Sequence, residues 1–145
     1  MSQIVPSGQG HLLTARGNVM AFKAVADQTG GDFSLMERTV PAGARTPPPH
    51  RHIACSEAFF VLEGTITFRL DDAGLTGGAG DFLLVPRGAA HTFGNQGEGQ
   101  ARLLVLHAPA MDGYFEELHK IWSCAEPPSR EAELELMSRY GMEPG

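Results

Sequence analysis

Two histidine-bearing stretches, separated by 15 residues, constrain the fold of this 145-residue chain more than any other feature. The first stretch holds three potential metal ligands within eight positions, His50, His52 and Glu57, and the second holds His91. Side chains at alternate positions of a strand point to the same face, so His50 and His52 can chelate one ion. Glu57 and His91 reach the same ion only where a turn or a neighbouring strand brings them there. The pattern predicts short strands that fold around a metal site.

Short apolar segments with turns every six to twelve residues predict an all-β sandwich or barrel rather than alternating strands and helices. Three consecutive prolines, Pro47 to Pro49, form a stiff extended segment that leads into His50. The predicted strands are 18–25, 33–40, 58–62, 65–70, a short one near Leu75, 82–85, 91–93 and 101–107.

The C-terminal part differs from the rest because its apolar residues recur at helical spacing. Asp112 can cap a first helix and Ser129 a second, which Gly141 would end. These two helices are expected to cover a barrel end or a dimer contact rather than to carry chemistry.

Length and charge exclude several function classes. A chain of 145 residues with 42% hydrophobic residues predicts one domain with a real core. The net charge of −6, with scattered lysine and arginine, argues against nucleic acid as a partner. No apolar run approaches the roughly 18 to 20 residues that span a bilayer, and the first 20 residues do not resemble a secretory signal. We therefore expect a soluble, cytoplasmic protein.

The two cysteines, Cys55 and Cys124, form no CxxC pair and are expected to be free thiols. Cys55 lies between His52 and Glu57, so a thiolate ligand is an alternative to a small packed side chain. Oxygen and nitrogen ligands already suffice for a metal site, which favours the packed side chain.

Taken together, the two stretches resemble the two motifs of the cupin superfamily, and their spacing is similar to that of small bacterial single-domain cupins of the quercetin-dioxygenase-like type. The first motif has one extra residue after Gly43. The matching positions are Gly43, His50, His52, Glu57, Gly64, Gly80, Pro86, Gly88, His91 and Asn95.

The resemblance implies a double-stranded β-helix, or jelly-roll, barrel with short C-terminal helices. The whole chain, 1–145, is then one cupin domain, with the barrel core at about 33–108, an N-terminal arm with strands at 1–32 and a helical segment at 112–141. The resemblance assigns His50, His52, Glu57 and His91 as ligands of one divalent transition metal ion. Such a mixed nitrogen and oxygen set suits Fe, Mn, Ni, Co or Zn. Asn95 is expected in a turn or in a hydrogen bond behind the ligands.

If Glu57 and His91 point inward, strand alternation also brings Phe59, Val61 and Phe93 to the interior. These residues would then form an apolar wall of a substrate pocket, or simply barrel core. His107 is a candidate for the mouth of that pocket, although a hydrogen-bonded structural histidine is the favoured interpretation.

Three function classes remain open. The first is a metal-dependent dioxygenase for a small aromatic or enolisable substrate, in which Glu57 is the candidate catalytic group as ligand and base. The second is a redox-neutral lyase, isomerase or cyclase that stabilises an enolate. The third is a non-catalytic cupin that binds a small ligand. The resemblance and the need to cover sheet edges also predict a homodimer.

Overall fold

The computed structural model describes residues 4–145 and contains two antiparallel sheets that face each other. Eleven strands and three helices make up this part of the chain. The strands are β1 (His11–Ala15), β2 (Asn18–Ala24), β3 (Ser34–Val40), β4 (His50–His52), β5 (Ser56–Glu63), β6 (Thr65–Leu70), β7 (Ala73–Gly78), β8 (Phe82–Val85), β9 (His91–Gly94), β10 (Ala101–Ala108) and β11 (Met142–Pro144). The helices are α1 (Ala26–Thr29), α2 (Asp112–Trp122) and α3 (Arg130–Arg139).

The first sheet has six strands in the order β1-β2-β3-β10-β5-β8, and the second has five in the order β11-β4-β9-β6-β7. Strands next to each other in a sheet are often far apart in the chain, as a jelly-roll requires. Apolar side chains alternate along the strands, and those facing inward form the core. Met36, Phe59, Ile66 and Leu103 are among the residues with almost no exposed surface. The predicted jelly-roll fold is confirmed.

The sheets extend beyond residues 33–108 on both sides. The β1–β2 hairpin adds two strands to the free edge of β3, and β11 adds one to β4. The sequence analysis did not separate β1 from an N-terminal arm, because its residues mix polar and apolar types and only Leu13 and Ala15 are buried. It also ended the chain's structure at Gly141, whereas Met142 pairs with His52 across the β11–β4 ladder.

Gly64 shows why the turn after β5 needs glycine. Its φ is 72°, a left-handed conformation, and a Cβ there would lie 2.7 Å from the carbonyl oxygen of Gln100. Any side chain at this position would therefore clash with backbone as well as strain the turn.

The pair of helices α2 and α3, called here the helical hairpin, packs along β1 and returns to the sheet through β11. Its inward side contributes Tyr114, Phe115, Leu118 and Leu136 to the core. Ser129 caps α3, as predicted, by accepting a hydrogen bond from the Ala132 amide at 3.1 Å. No helix within residues 4–145 combines the length and the apolar character needed to cross a membrane.

Candidate metal centre

The four predicted ligands come together between the two sheets. His50 and His52 lie on β4 and His91 on β9 of the five-stranded sheet, whereas Glu57 lies on β5 of the opposite sheet. One candidate ligand atom from each residue lies within 4.8 Å of the others, and all four side chains are buried. His50 and His91 are direct neighbours in the β4–β9 ladder, which explains how residues 41 positions apart meet.

Backbone carbonyls orient two of the imidazoles. Nδ1 of His50 donates to the carbonyl of Pro48 at 2.8 Å, and Nδ1 of His91 donates to the carbonyl of Ala89 at 3.0 Å. Each bond fixes Nδ1 as the donor and turns Nε2 toward the centre of the cluster. Metal-binding histidines generally have such a bond on the nitrogen that faces away from the ion. The stiff proline segment before His50 therefore positions both the strand and the ring.

Glu57 contacts three histidines of the cluster. Its carboxylate accepts a hydrogen bond from Nε2 of His91 at 2.6 Å and another from Nε2 of His107 at 2.6 Å. Nε2 of His52 lies 3.3 Å from the same carboxylate but makes no hydrogen bond with it. The carboxylate is thus surrounded by imidazoles on both sides of the barrel.

His107 lies deeper than the sequence analysis placed it. It is 1% exposed and sits directly opposite Glu57 in the β10–β5 ladder, so it lines no open mouth. Its hydrogen bond to Glu57 agrees with the favoured interpretation of a hydrogen-bonded histidine. This contact is difficult to predict from the sequence, because it depends on the register of two strands whose contacting residues are 50 positions apart.

The charges in the cluster favour ionised Glu57 and protonated His91. Burial alone would raise the pKa of Glu57. The charge and hydrogen bond of His107, followed by the polar contacts of His52 and His91, outweigh burial and hold this pKa well below its usual value. Burial would lower the pKa of His91, but the hydrogen bond and the charge of Glu57 outweigh it and raise that pKa. Burial and the neighbouring His91 lower the pKa of His50 to about 3, so its imidazole is neutral.

His52 provides the test of whether the residues fit a metal ion. Neither of its ring nitrogens has a hydrogen-bond partner, although the side chain is buried. A buried polar atom without a partner costs free energy, and a cation coordinated by the imidazole would remove that cost. Three imidazoles and one carboxylate also form a ligand set typical of Fe, Mn, Co, Ni or Zn. The cluster therefore fits a divalent transition metal.

Cys55 is a packed side chain and not a fifth ligand. Its Sγ contacts Sδ of Met111 at 3.3 Å, and burial with the nearby charge of Glu57 raises the pKa of the thiol to about 12. A thiol that stays protonated is a poor metal ligand.

The predicted pocket wall lies two residues further along the strands from Glu57 and His91. Phe59 and Phe93 pack with ring centroids 5.4 Å apart, next to Phe68, and Val61 is 1% exposed. These residues belong to the core cluster, and a substrate role for them stays a prediction. Asn95, as expected, lies in a turn, where its side-chain amide donates to the carbonyls of Val40 and Gly99.

Metal binding is expected to release a proton from His91. At about pH 6 the raised pKa keeps this imidazole protonated in the metal-free protein, and only the neutral form can bind an ion. Lowering the pH should therefore weaken metal binding. Titration calorimetry with Zn²⁺ in two buffers of different protonation enthalpy should show release of about one proton per ion. An enthalpy that does not depend on the buffer would contradict this assignment.

Comparison with known proteins supports the fold. The family model described as "Cupin domain" matches residues 36–107. Quercetin 2,3-dioxygenase of Bacillus subtilis is 30% identical over 90 residues, which are 62% of this chain and 26% of that protein. The chain thus spans about a quarter of the length of this curated relative.

Solved structures share the barrel at low identity. KdgF from Halomonas is 17% identical, with a TM-score of 0.67, and the match covers 78% of this chain and 98% of that one. A predicted oxalate decarboxylase from Thermotoga maritima is 19% identical, with a TM-score of 0.65 and coverages of 74% and 99%. A sugar phosphate isomerase from Silicibacter pomeroyi is 23% identical, with a TM-score of 0.56 and coverages of 69% and 68%. At these identities the likeness concerns the fold alone, and the reactions in these names differ.

Proposed function

Since the chain belongs to the cupin superfamily, we propose that it is a metal-dependent dioxygenase. Its substrate would be a small aromatic or enolisable molecule that binds the metal through oxygen. Fe, Mn, Ni, Co or Zn are the candidate ions, with one ion per chain. The observation that carries the proposal is the convergence of His50, His52, Glu57 and His91 on one buried point, with candidate ligand atoms within 4.8 Å of one another.

The dioxygenase reaction is favoured over others by sequence similarity. The match to quercetin 2,3-dioxygenase covers 90 residues at 30% identity. Because that match spans about a quarter of the relative, the reaction is transferred here only as a proposal.

Four protein ligands leave one or two open positions on a five- or six-coordinate ion. When bound, the ion would supply a positive charge that favours the deprotonated form of an enol or phenol and, if it is Fe, Mn, Co or Ni rather than Zn, a redox centre for O₂. Glu57 and His107 would together accept the proton that the substrate loses. Their hydrogen bond of 2.6 Å joins a carboxylate to an imidazole inside the barrel, so a proton can pass between the two groups. The surrounding core, including Phe59 and Phe93, would exclude water from the reacting atoms.

A redox-neutral isomerase or lyase is the second candidate, and the Glu57–His107 pair is the observation that favours it. A buried carboxylate and imidazole in contact can move a proton between two atoms of a substrate without any oxidant. In that case the ion would act as a Lewis acid only. A cupin that binds a small ligand without turnover is the remaining alternative.

Metal analysis followed by O₂ uptake tests these functions. We expect protein purified without a tag or chelator to contain close to one Fe, Mn, Co or Ni per chain and to consume O₂ with catechols, β-diketones or flavonols. Bound metal with no O₂ uptake across that panel would reject the dioxygenase and favour the redox-neutral or binding functions. Absence of metal, even after reconstitution, would reject all metal-dependent proposals.

We also propose that the chain pairs with a second copy of itself. Phe60, Phe82 and Leu84 are exposed on the outer face of the six-stranded sheet, with Phe60 directly opposite Phe82 in the β5–β8 ladder. An exposed apolar patch next to an edge strand is typical of a surface that another chain covers. A cytoplasmic location stays a prediction.

A further inference from the structure

The two oxygens of the Glu57 carboxylate face different neighbours. Oε1 lies 2.6 Å from Nε2 of His91 and 3.3 Å from Nε2 of His52, so it faces the predicted metal ligands. Oε2 instead accepts a hydrogen bond from Nε2 of His107, on β10, at 2.6 Å. His107 is not among the four residues whose candidate ligand atoms converge. The carboxylate is therefore divided between the metal centre and a histidine outside it.

The position of His107 is fixed by the barrel. It lies opposite Glu57 in the β10–β5 ladder and opposite Ser34 in the β10–β3 ladder, so strands on both sides hold its backbone. Its ring packs against Phe115 of α2, with the ring centroids 5.4 Å apart, and the residue is almost completely buried. These contacts leave the imidazole little freedom to move, so the direction of its N–H is set before any ion binds.

Packing alone does not explain a histidine at this position. Leu103 and Val105, the preceding inward residues of β10, are apolar members of the core. Nδ1 of His107 has no hydrogen-bond partner within residues 4–145. A buried imidazole with an unpartnered nitrogen costs free energy that an apolar side chain would avoid. The property that His107 adds, against this cost, is the N–H that it donates to Glu57.

Oε2 of Glu57 decides how many positions on an ion the protein occupies. A carboxylate binds an ion through one oxygen or through both. If Glu57 uses one oxygen, the four predicted ligands leave two positions of a six-coordinate ion open, and if it uses both, they leave one. A hydrogen bond from an N–H to a carboxylate is among the strong ones, and here it occupies Oε2.

We propose that His107 is a positioning residue that holds Oε2 away from the ion and keeps Glu57 a ligand through Oε1 alone. Two neighbouring positions on the ion then stay open for a substrate that chelates it through two oxygens. This inference rests on the proposed metal-dependent function and names the way in which its substrate binds.

Nuclear magnetic resonance of the histidine N–H protons tests the hydrogen bond in the unaltered protein. The Nε2 proton of His107 should resonate far downfield and exchange slowly with water, because it is buried and bonded to a carboxylate. Saturation with Zn²⁺ should leave this signal in place, whereas the Nε2 proton of His91 should disappear. His107→Gln, which lacks the imidazole, identifies the signal among the six histidines. Absence of the His107 signal from the Zn²⁺-loaded protein would overturn the proposal.

Ligand binding to the Co²⁺-loaded protein tests the consequence for the ion. Acetohydroxamate binds a metal through two oxygens and thiocyanate through one atom, so the ratio of their affinities reports the number of open positions. In His107→Leu, Oε2 loses its donor and should turn to the ion. Acetohydroxamate binding should then weaken by roughly tenfold or more, whereas thiocyanate binding should change little. The visible absorption of Co²⁺ measures both affinities.

His107→Gln and His107→Asn are a matched pair, because the amide of glutamine can reach the position of Nε2 and the shorter asparagine cannot. His107→Gln should keep the affinity ratio of the unaltered protein, and His107→Asn should lose it, as His107→Leu does. Both variants keep a polar side chain, so the comparison stays valid if His107→Leu folds poorly. A ratio that His107→Gln loses as well, or that no variant loses, would overturn the proposal.

The same measurements separate this role from the proposed reaction. If the N–H signal and the affinity ratios follow the expected pattern but no O₂ is consumed, the role of His107 stands and the dioxygenase fails. If O₂ is consumed and the ratio is the same in every variant, the dioxygenase stands and the role of His107 fails. No change in any histidine signal on adding Zn²⁺ would reject the metal centre, and both proposals with it.

Discussion

Replacing His91 with alanine is expected to weaken Zn²⁺ or Co²⁺ binding by more than about 100-fold. Losing a residue that only supports a ligand costs roughly 10- to 100-fold in affinity, and His91 is itself a predicted ligand. In the metal-free protein the substitution also removes the hydrogen bond at 2.6 Å that orients one oxygen of Glu57 before the ion binds. His91→Ala should therefore lose one ligand and loosen a second.

The same substitution should abolish the stabilisation that the metal gives to the fold. An ion that binds only the folded protein adds about 2.7 kcal/mol when present at 100 times its dissociation constant. We expect Zn²⁺ to raise the Tm of the unaltered protein and to leave that of His91→Ala almost unchanged. Competition with a chelating dye measures the affinity, and thermal unfolding with and without Zn²⁺ measures the stabilisation.

His11→Ala is the control for this experiment, because His11 is exposed and pairs with Glu116 away from the cluster. It should bind metal normally. Retention of near-native affinity by His91→Ala would show that the buried cluster is a hydrogen-bond network and no metal centre. His50→Ala should behave like His91→Ala, since the two residues are neighbours in the β4–β9 ladder.

The pairing of His50 and His52 could be predicted from local rules, whereas Glu57 and His91 were assigned as ligands through the resemblance to the cupin motifs. Alternation along a strand brings His50 and His52 to one face, and the proline segment before them excludes a helix. The partner of Glu57 could not be predicted in the same way. His107 reaches Glu57 only through the register of β10 against β5, which the sequence of neither strand specifies by itself.

The surroundings of the metal ligands could not be predicted from the sequence either. Strand alternation correctly turns Phe59 and Phe93 inward, but it does not say whether inward side chains meet a ligand or each other. The space beside His52 is bounded instead by residues after β10 and after α3, which no periodicity connects with the metal ligands. The three-residue strand β11, which ends in a proline, carries too few residues for a pattern, yet its Met142 pairs with His52.

A buried ion pair fastens the helical hairpin to the barrel. Nε of Arg16, in the β1–β2 turn, donates to Glu133 of α3 at 2.9 Å, and both side chains are less than a tenth exposed. Nε1 of Trp122 donates to the same carboxylate at 2.6 Å. Glu133 thus joins both helices to the first hairpin of the sheet.

Arg16, the partner of Glu133, also acts on a second buried guanidinium group. Arg38 is 3% exposed, and burial together with the charge of Arg16 lowers its pKa to about 9. Arg38 bonds to the neutral amide of Asn18 and lies with its guanidinium carbon 5.0 Å from the ring centroid of Phe93. Removing the carboxylate of Glu133 would leave the buried charge of Arg16 without its partner and still exposed to repulsion from Arg38.

Glu133→Leu is therefore expected to destabilise the protein by about 3 to 5 kcal/mol, the usual cost of leaving one partner of a buried ion pair uncompensated. Adding Arg16→Met should restore part of this loss, because the double variant no longer buries the charge of Arg16. Urea unfolding of the metal-free proteins measures both values. Arg139→Ala is the control, since its pair with Glu117 is largely exposed and should contribute less than about 1 kcal/mol. A Glu133→Leu protein no less stable than Arg139→Ala would show that apolar packing of Leu118, Leu136 and their neighbours holds the helical hairpin, and that the buried ion pair contributes little.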